Sequence, residues 1–420
     1  MRRRVAITGL GCVTPLGTGS EAYLEGLREG RSGVRRITLF DPEGLPVRIA
    51  GEARGFDPAD HIPAKDARHV SRVVPMAIAA AGEALASAGI DAERLSLDER
   101  RRIAVLLGSG GGPVEFFEKM YGHYYRGELK KASVYAIPTG TIGTLSSEIS
   151  MRYGLKGPSH VVSTGCTSSA DAIGYATKAI RYGERDVVLA GGADAVITPG
   201  IMTGFGLMQI LASSRQELPE TASRPFDGGR DGFVLGEGAW FFVLEEMERA
   251  LSRRVRLFGE ILGYAATCDA YHRVRLDESG EEPARAMTEA LEDAGIAPAE
   301  VGYVQYHGTG TELNDRIETR ATRIALGAHA DRTPGSSVKS QIGHPQGASG
   351  AAGLAATLLA LNAGFLPPTA NLETPDPECD LDYVPVAARP AEVDVALVNG
   401  IAFGSKNTAL VVRTGRAFGS

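Results

Sequence analysis

Cysteine is scarce in this chain: four residues in 420, at Cys12, Cys166, Cys268 and Cys379. They show no CxxC pairing of the kind zinc wants and no disulfide density, so no metal and a reducing cytoplasm are expected. A basic excess is missing too. The net charge of −7 argues against a nucleic-acid partner, since such binders usually carry a surplus of lysine and arginine. No run approaches the roughly 18 apolar residues of a membrane helix, which excludes a spanning protein of that type. The start MRRRVAITGLGCVTPLG has basic residues before an apolar stretch, as a signal peptide does. Thr8, Gly9, Gly11, Thr14 and Pro15 interrupt that stretch, so a first β-strand running into a glycine loop is expected instead. Nucleotide fingerprints are also lacking. GLGCVT has Thr14, and GSGGGP has Pro113, where a dinucleotide loop needs its third glycine, and neither carries the GK[ST] of a P-loop.

What is present is ordinary globular material, 43% hydrophobic and 23% charged, enough for a large core. The length fits two or three domains or one large duplicated one. Duplication is visible in the letters. EALASAGI (Glu83 to Ile90) recurs as EALEDAGI (Glu289 to Ile296), identical at six of eight positions. Each copy ends a helix-like segment at Ala-Gly, the expected C-terminal stop. A strand-like run and a glycine turn follow each copy, RIAVLLGSGGG in one case and VGYVQYHGTGT in the other. Strand, glycine turn and helix then recur again, closing at Gly183 and at Gly364. The spacing predicts two fused α/β halves, 1–250 and 251–420, each a strand–helix alternation building a mostly parallel sheet. A ligand then belongs beyond the carboxyl ends of the strands, among the glycine turns. Cys166, His307 and His344 all fall there.

In VVSTGCTSSADAIGYATKAI, Ala170, Ile173, Ala176 and Ile180 make a buried helical stripe. Cys166 then sits at the positive end of the helix dipole, which favours a thiolate. A lone cysteine is more often a small buried filler; here Ser163, Gly165, Ser168 and Ser169 leave room for a substrate. His307 and His344, two of only eight histidines, lie in equivalent glycine turns opposite that cysteine. A single turn histidine is usually structural or solvent-facing, but a neutral pair can donate two N–H groups to one developing oxyanion. Lys339 could orient that site or hold a carboxylate, and Glu318 could hold Lys339; surface ion pairing is the plainer alternative for both.

TGCTSS, HGTGTELND, VKSQIGHPQGASG and RPFDGGRDGFVLGEGA resemble the β-ketoacyl-[acyl-carrier-protein] synthases of the thiolase superfamily, nearly from end to end. The resemblance implies a thiolase fold with layered α-β-α-β-α architecture. Its N-terminal half would carry the nucleophilic cysteine, and its C-terminal half the two histidines and the lysine. It implies a decarboxylative Claisen condensation. Cys166 accepts an acyl group from the phosphopantetheine of an acyl carrier protein, and malonyl carrier protein loses carbon dioxide to give the attacking enolate. His307 and His344 match the family's enolate-stabilising pair, Lys339 and Glu318 its supporting residues. Backbone N–H groups of Cys166 and Phe403 match the oxyanion hole, and Phe205, Thr309, Thr311 and Phe403 match substrate-lining positions. No cofactor of the protein's own is implied.

TGCTS with Gly165, NDRIET and ECDLDYVP look closer to the ketosynthase subunits of type II polyketide systems than to fatty-acid enzymes. Those subunits pair with a cysteine-less chain length factor; a homodimeric fatty-acid synthase is the alternative. A thiolase would need a second cysteine in the C-terminal loop, where Phe403 stands, and a non-catalytic subunit would not keep Cys166. That loop reads AFGSKN, and Ala402 and Ser405 in place of glycines should stiffen it. Gly111, where the family often has a bulky aliphatic residue, should lengthen the acyl channel. Lys65, Arg68, His69 and Arg72 should form one basic stripe on a helix opened by Pro63, facing an acidic carrier protein.

Overall fold

A computed structural model describes residues 2–419. One eleven-stranded sheet runs through it; one member, the two-residue strand Gly17–Thr18, pairs only with the end of its neighbour. The other ten are β1 (Val5–Thr14), β2 (Ile103–Gly108), β3 (Ser159–Val162), β4 (Val187–Asp194) and β5 (Gly238–Glu246), then β6 (Gly259–Cys268), β7 (Tyr303–Gln305), β8 (Gly335–Ser336), β9 (Val395–Ala402) and β10 (Lys406–Thr414). Their spatial order is β8-β7-β9-β10-β6-β1-β5-β4-β2-β3. From the β6–β1 seam outward, the two sides read 6-10-9-7-8 and 1-5-4-2-3, the same path shifted by five.

The repeated octapeptide has a physical reason. It ends helix α1 (Val73–Ser87) in one copy and, in the other, a later helix over Glu281–Ala294. Both helices lie so close to a strand that only glycine fits beneath them. A Cβ on Gly9 of β1 would sit 2.1 Å from the carbonyl oxygen of Ala84 and 2.9 Å from Cβ of Ala88. A Cβ on Gly263 of β6 would meet Ala290 and Ala294 at the same two distances. Helix α2 (Ser168–Arg181), α3 (Glu281–Ala294), α4 (Glu312–Leu326) and α5 (Ser349–Asn362) complete the frame. α2 and α5 pack together between strands of both halves, α1 covers one outer face, and α3 with α4 covers the other. That is the five-layered arrangement. Ala170, Ile173, Ala176 and Ile180 are all buried in its middle layer.

The sheet is mixed rather than mostly parallel. β4, β2 and β3 are parallel, as are β9, β7 and β8, but β5 and β10 insert antiparallel between these and the central pair. In the first half a long excursion between β4 and β5, residues 195–237, returns the chain to the same end of the sheet, where Asp194 pairs with Gly238. In the second, a short turn reverses it between β9 and β10. Among the described residues no helix is long and apolar enough to cross a membrane.

Candidate active site

Three loops deliver the chemistry to one place, and each has its own local logic. Cys166 lies in the turn between β3 and α2. Gly165 adopts φ +72°, a left-handed conformation that suits glycine. The Ser168 hydroxyl clamps the turn by donating to the Gly165 carbonyl and accepting from the Thr164 N–H. Asp171, on the first turn of α2, accepts from Thr167 and from the Tyr264 hydroxyl. The thiol is thus held just ahead of the helix start, 6% exposed.

His307 follows β7, and its main-chain N–H and that of Gly308 both donate to Glu318 of α4, at 2.7 Å each. His344 sits in the loop before α5, where its N–H donates to the Val234 carbonyl at 2.7 Å. The two imidazoles meet edge to face with centroids 5.3 Å apart. One ring nitrogen from each and the Cys166 Sγ lie within 4.8 Å of one another. Among the described residues this trio is also the one His/Cys/carboxylate group close enough to share an ion, but the Lys339 charge acts on all three members, which disfavours a second cation there.

Electrostatics follow from burial. It pushes the Cys166 thiol up to about 12, so the thiolate expected from the helix start is not favoured; the Lys339 charge and the N–H groups of Phe403 and Cys166 itself pull the other way without overcoming burial. Those two N–H groups converge on the sulfur, where an oxyanion hole is needed. Both histidines are driven well below the ordinary imidazole value, chiefly by burial and then by Lys339. They are neutral at physiological pH. Burial also lowers Lys339 and raises Glu318.

The link expected between those last two is different in detail. Glu318 is not bonded to Lys339; its oxygens take the two main-chain N–H groups and the Asn399 amide, the last at 3.2 Å. Lys339 Nζ donates instead to the His307 carbonyl at 2.5 Å and lies 3.5 Å from His307 Nδ1. Lysine and glutamate therefore grip the same histidine residue through different atoms.

A cavity of about 240 Å³ ends on this trio. Thr309, Thr311 and Phe403 line it, with Phe233, Val274 and Leu276. Phe205 does not; it packs edge-on against Phe233, which in turn packs against His344. Gly111 is also outside the cavity. A Cβ there would fall 2.2 Å from Val196 Cγ1, so the space a larger residue would take is already filled. An isoleucine would have to displace Val196 rather than narrow a channel. Gly111 serves the turn: with Gly110 and Gly112 it donates main-chain N–H to the buried Asp194. In the C-terminal loop Ser405 keeps the left-handed conformation a glycine would take, with φ +66°, and its side chain makes bonds a glycine could not. The Ser405 hydroxyl accepts from the N–H groups of Tyr271 and His272 and donates to the His272 carbonyl.

The basic stripe is not one helix. The helix after Pro63 covers only Ala64–Ala67, and α1 begins at Val73. The break is enforced by tertiary bonds: His69 Nδ1 pairs with Ser133 Oγ at 2.8 Å, and the His69 carbonyl accepts from Thr139. Arg72 turns inward to a two-pronged pair with the fully buried Glu237, down to 2.7 Å. Lys65 and Arg68 remain exposed. Arg72→Ala should therefore cost about 3–5 kcal/mol of stability, as breaking a buried ion pair does. Urea denaturation reads the loss, and the surviving folded fraction should show no selective rise in KM for a carrier protein.

Sequence reasoning missed three residues that bear on this centre, two by contact and Asp194 through its charge. Asp194 joins the glycine turn of the first half to the Gly347 N–H of the second. Gln346 accepts from the Cys166 thiol at 3.8 Å, with a positive φ of 45° and a buried Nε2 that has no partner. Ser349 Oγ lies 2.9 Å from His344 Nδ1. GHPQGAS carried the last two in plain view, but nothing in the letters says which side chains turn inward.

Comparison with known proteins agrees with this geometry. Residues 2–250 match the beta-ketoacyl synthase N-terminal domain, and residues 258–373 match the beta-ketoacyl synthase C-terminal domain. A 3-oxoacyl-[acyl-carrier-protein] synthase 2 of Synechocystis is 40% identical over 412 residues, covering 98% of each chain. The tetracenomycin polyketide synthase ketoacyl synthase alpha subunit of Streptomyces glaucescens is 40% identical over 421 residues, covering 98% of this chain and 97% of its own. The solved ishigamide ketosynthase/chain length factor superposes with a TM-score of 0.91 at 35% identity, covering 99% of this chain and 100% of that one. With both domain models matched across the same two halves that deliver the cysteine and the histidines, this chain belongs to the beta-ketoacyl synthase family.

Proposed function

We propose that this synthase extends a polyketide chain by decarboxylative Claisen condensation, with Cys166 as nucleophile and His307 and His344 as the decarboxylation pair. The observation that carries the reading is the meeting of one thiol and two neutral, buried imidazoles at the end of a mostly apolar cavity. Acyl transfer comes first. Cys166 sulfur attacks the thioester carbonyl of an acyl carrier protein, and the thiol proton leaves with the departing phosphopantetheine sulfur. The N–H groups of Cys166 and Phe403 hold the oxyanion of that step. Malonyl carrier protein then enters, its arm passing Thr309 and Thr311. Carbon dioxide leaves, and the electron pair of the broken carbon–carbon bond becomes an enolate whose oxygen is held by His307 and His344. The enolate carbon attacks the acyl-Cys carbonyl, the Cys166 thiolate is expelled and regains a proton, and a β-ketoacyl carrier protein departs, two carbons longer.

The phosphopantetheine belongs to the carrier protein, and the proposal asks for no further cofactor. Lys65 and Arg68, both exposed, are the remaining candidates from the expected docking stripe. The name of the ishigamide structure, which pairs a ketosynthase with a chain length factor, supports a heterodimer here. The equal identity to a 3-oxoacyl-[acyl-carrier-protein] synthase keeps a homodimeric fatty-acid enzyme as the second reading. The test is condensation of acyl and malonyl carrier proteins by the purified chain, alone and with a co-expressed cysteine-less homologue. Repeated extension only with the homologue supports the polyketide reading; full extension by the chain alone supports the second; no extension in either case contradicts both.

A further inference from the structure

Each imidazole of the pair must present Nε2–H to the enolate oxygen, and a neutral imidazole does so only if its Nδ1 is unprotonated. For His307 a cation settles the matter: Lys339 Nζ, 3.5 Å from Nδ1, can only donate. His344 Nδ1 faces a different group. Ser349 Oγ stands 2.9 Å from it, and a hydroxyl can either donate or accept. The same hydroxyl lies 2.7 Å from the Gln346 carbonyl, so its single proton has two possible destinations. If it goes to Gln346, Nδ1 must carry hydrogen, and Nε2 becomes an acceptor that repels the enolate.

The surroundings decide between the two. The Gln346 carbonyl already accepts the main-chain N–H of Ser349 and is satisfied without the hydroxyl. His344 Nδ1 is buried with its ring, and the Ser349 hydroxyl is the bond it makes. An unmade bond costs most at such a buried site. We infer that Ser349 is a positioning residue that donates to His344 Nδ1 and so fixes the ring as the Nε2–H tautomer required for decarboxylation. Ser349 and Lys339 thus do the same service for the two histidines, one as a hydroxyl and the other as an ammonium. Ser349 is the first residue of α5 and is anchored by the helix, so the hydroxyl is set by the same element that fills the middle layer.

This inference rests on the proposed role of His344 and is tested separately from it. Carbon dioxide release from malonyl carrier protein is measured for Ser349→Ala, Ser349→Thr and His344→Ala, and Cys166 acylation is measured in parallel. Ser349→Ala should lower kcat for decarboxylation about 10- to 100-fold, the usual loss when the hydrogen bond orienting a functional histidine is removed. KM and acylation should stay within about 3-fold, since neither depends on which ring nitrogen holds hydrogen. Ser349→Thr, which keeps the hydroxyl, should recover most of the rate. In the unaltered protein, nitrogen NMR spectra of the ring should report hydrogen on Nε2 of His344. Decarboxylation within about 2-fold of normal in Ser349→Ala, equal loss of acylation, or hydrogen on Nδ1 would each overturn the inference. If His344→Ala itself decarboxylates normally, the role of His344 fails first.

Discussion

His307→Ala and His344→Ala should each lose about 10²–10³-fold in carbon dioxide release, the usual cost of removing one donor from a developing oxyanion. Both should still acylate Cys166. The division follows from where the groups lie. Two N–H groups of the main chain already converge on the sulfur, so acyl transfer has its own donors, whereas the imidazoles are the donors left for the enolate. The pH dependence has a definite sign. Burial and the Lys339 charge lower both histidines well below 6.5, so protonation is displaced to more acid solution. Neither ring should therefore contribute a midpoint near the ordinary imidazole value; the groups at the site that titrate between about pH 6 and about pH 9 are Glu318, raised to about 7, and Lys339, lowered to about 8. A roughly 10-fold fall in decarboxylation between about pH 7 and about pH 6 that persists in Glu318→Gln would mean that at least one ring titrates normally and is not held as the structure has it.

Cys166→Gln should abolish condensation, a loss beyond about 10³-fold, while keeping decarboxylation at least at its normal rate. The amide removes the nucleophile, so no acyl-enzyme forms and the enolate has nothing to attack. An uncharged side chain of that size imitates the acylated cysteine and leaves both imidazoles in place. The raised thiol of Cys166 adds a second expectation. A group pushed to about 12 is protonated at neutral pH, so acylation should speed up with rising pH. Equal losses of both partial reactions, in this variant and in the histidine variants alike, would argue that the three residues act only as a structural unit.

Much of this site is legible in the sequence because its chemistry is local in the chain. A cysteine before an apolar helical stripe, and two histidines in matching glycine turns, are patterns of spacing, and all three converge. The octapeptide repeat is legible for a similar reason: its alanines lie against strand glycines, and that contact leaves a trace in both copies. What cannot be read there is set by contacts distant in sequence. Arg72 looks like a surface residue until Glu237, 165 positions away, takes its guanidinium. Gly111 looks like an open channel until Val196 is seen to occupy the space. Glu318 looks like a partner for a lysine because side-chain charges are visible in a sequence and main-chain N–H groups are not. The antiparallel insertion of β5 and β10 has the same origin, since the return path of the chain is not written in either strand.

The most direct test of the account is the mass of the acyl-enzyme, mapped by peptide. After incubation with an acyl carrier protein, one acyl group should appear on the peptide that holds Cys166, and Cys166→Ala should carry none. Cys12 is buried, and Cys268 is exposed and does not line the cavity that ends on the histidine pair, so neither should be labelled. Label on Cys12 or Cys268, or label that persists in Cys166→Ala, would contradict the assignment of the nucleophile and with it the mechanism.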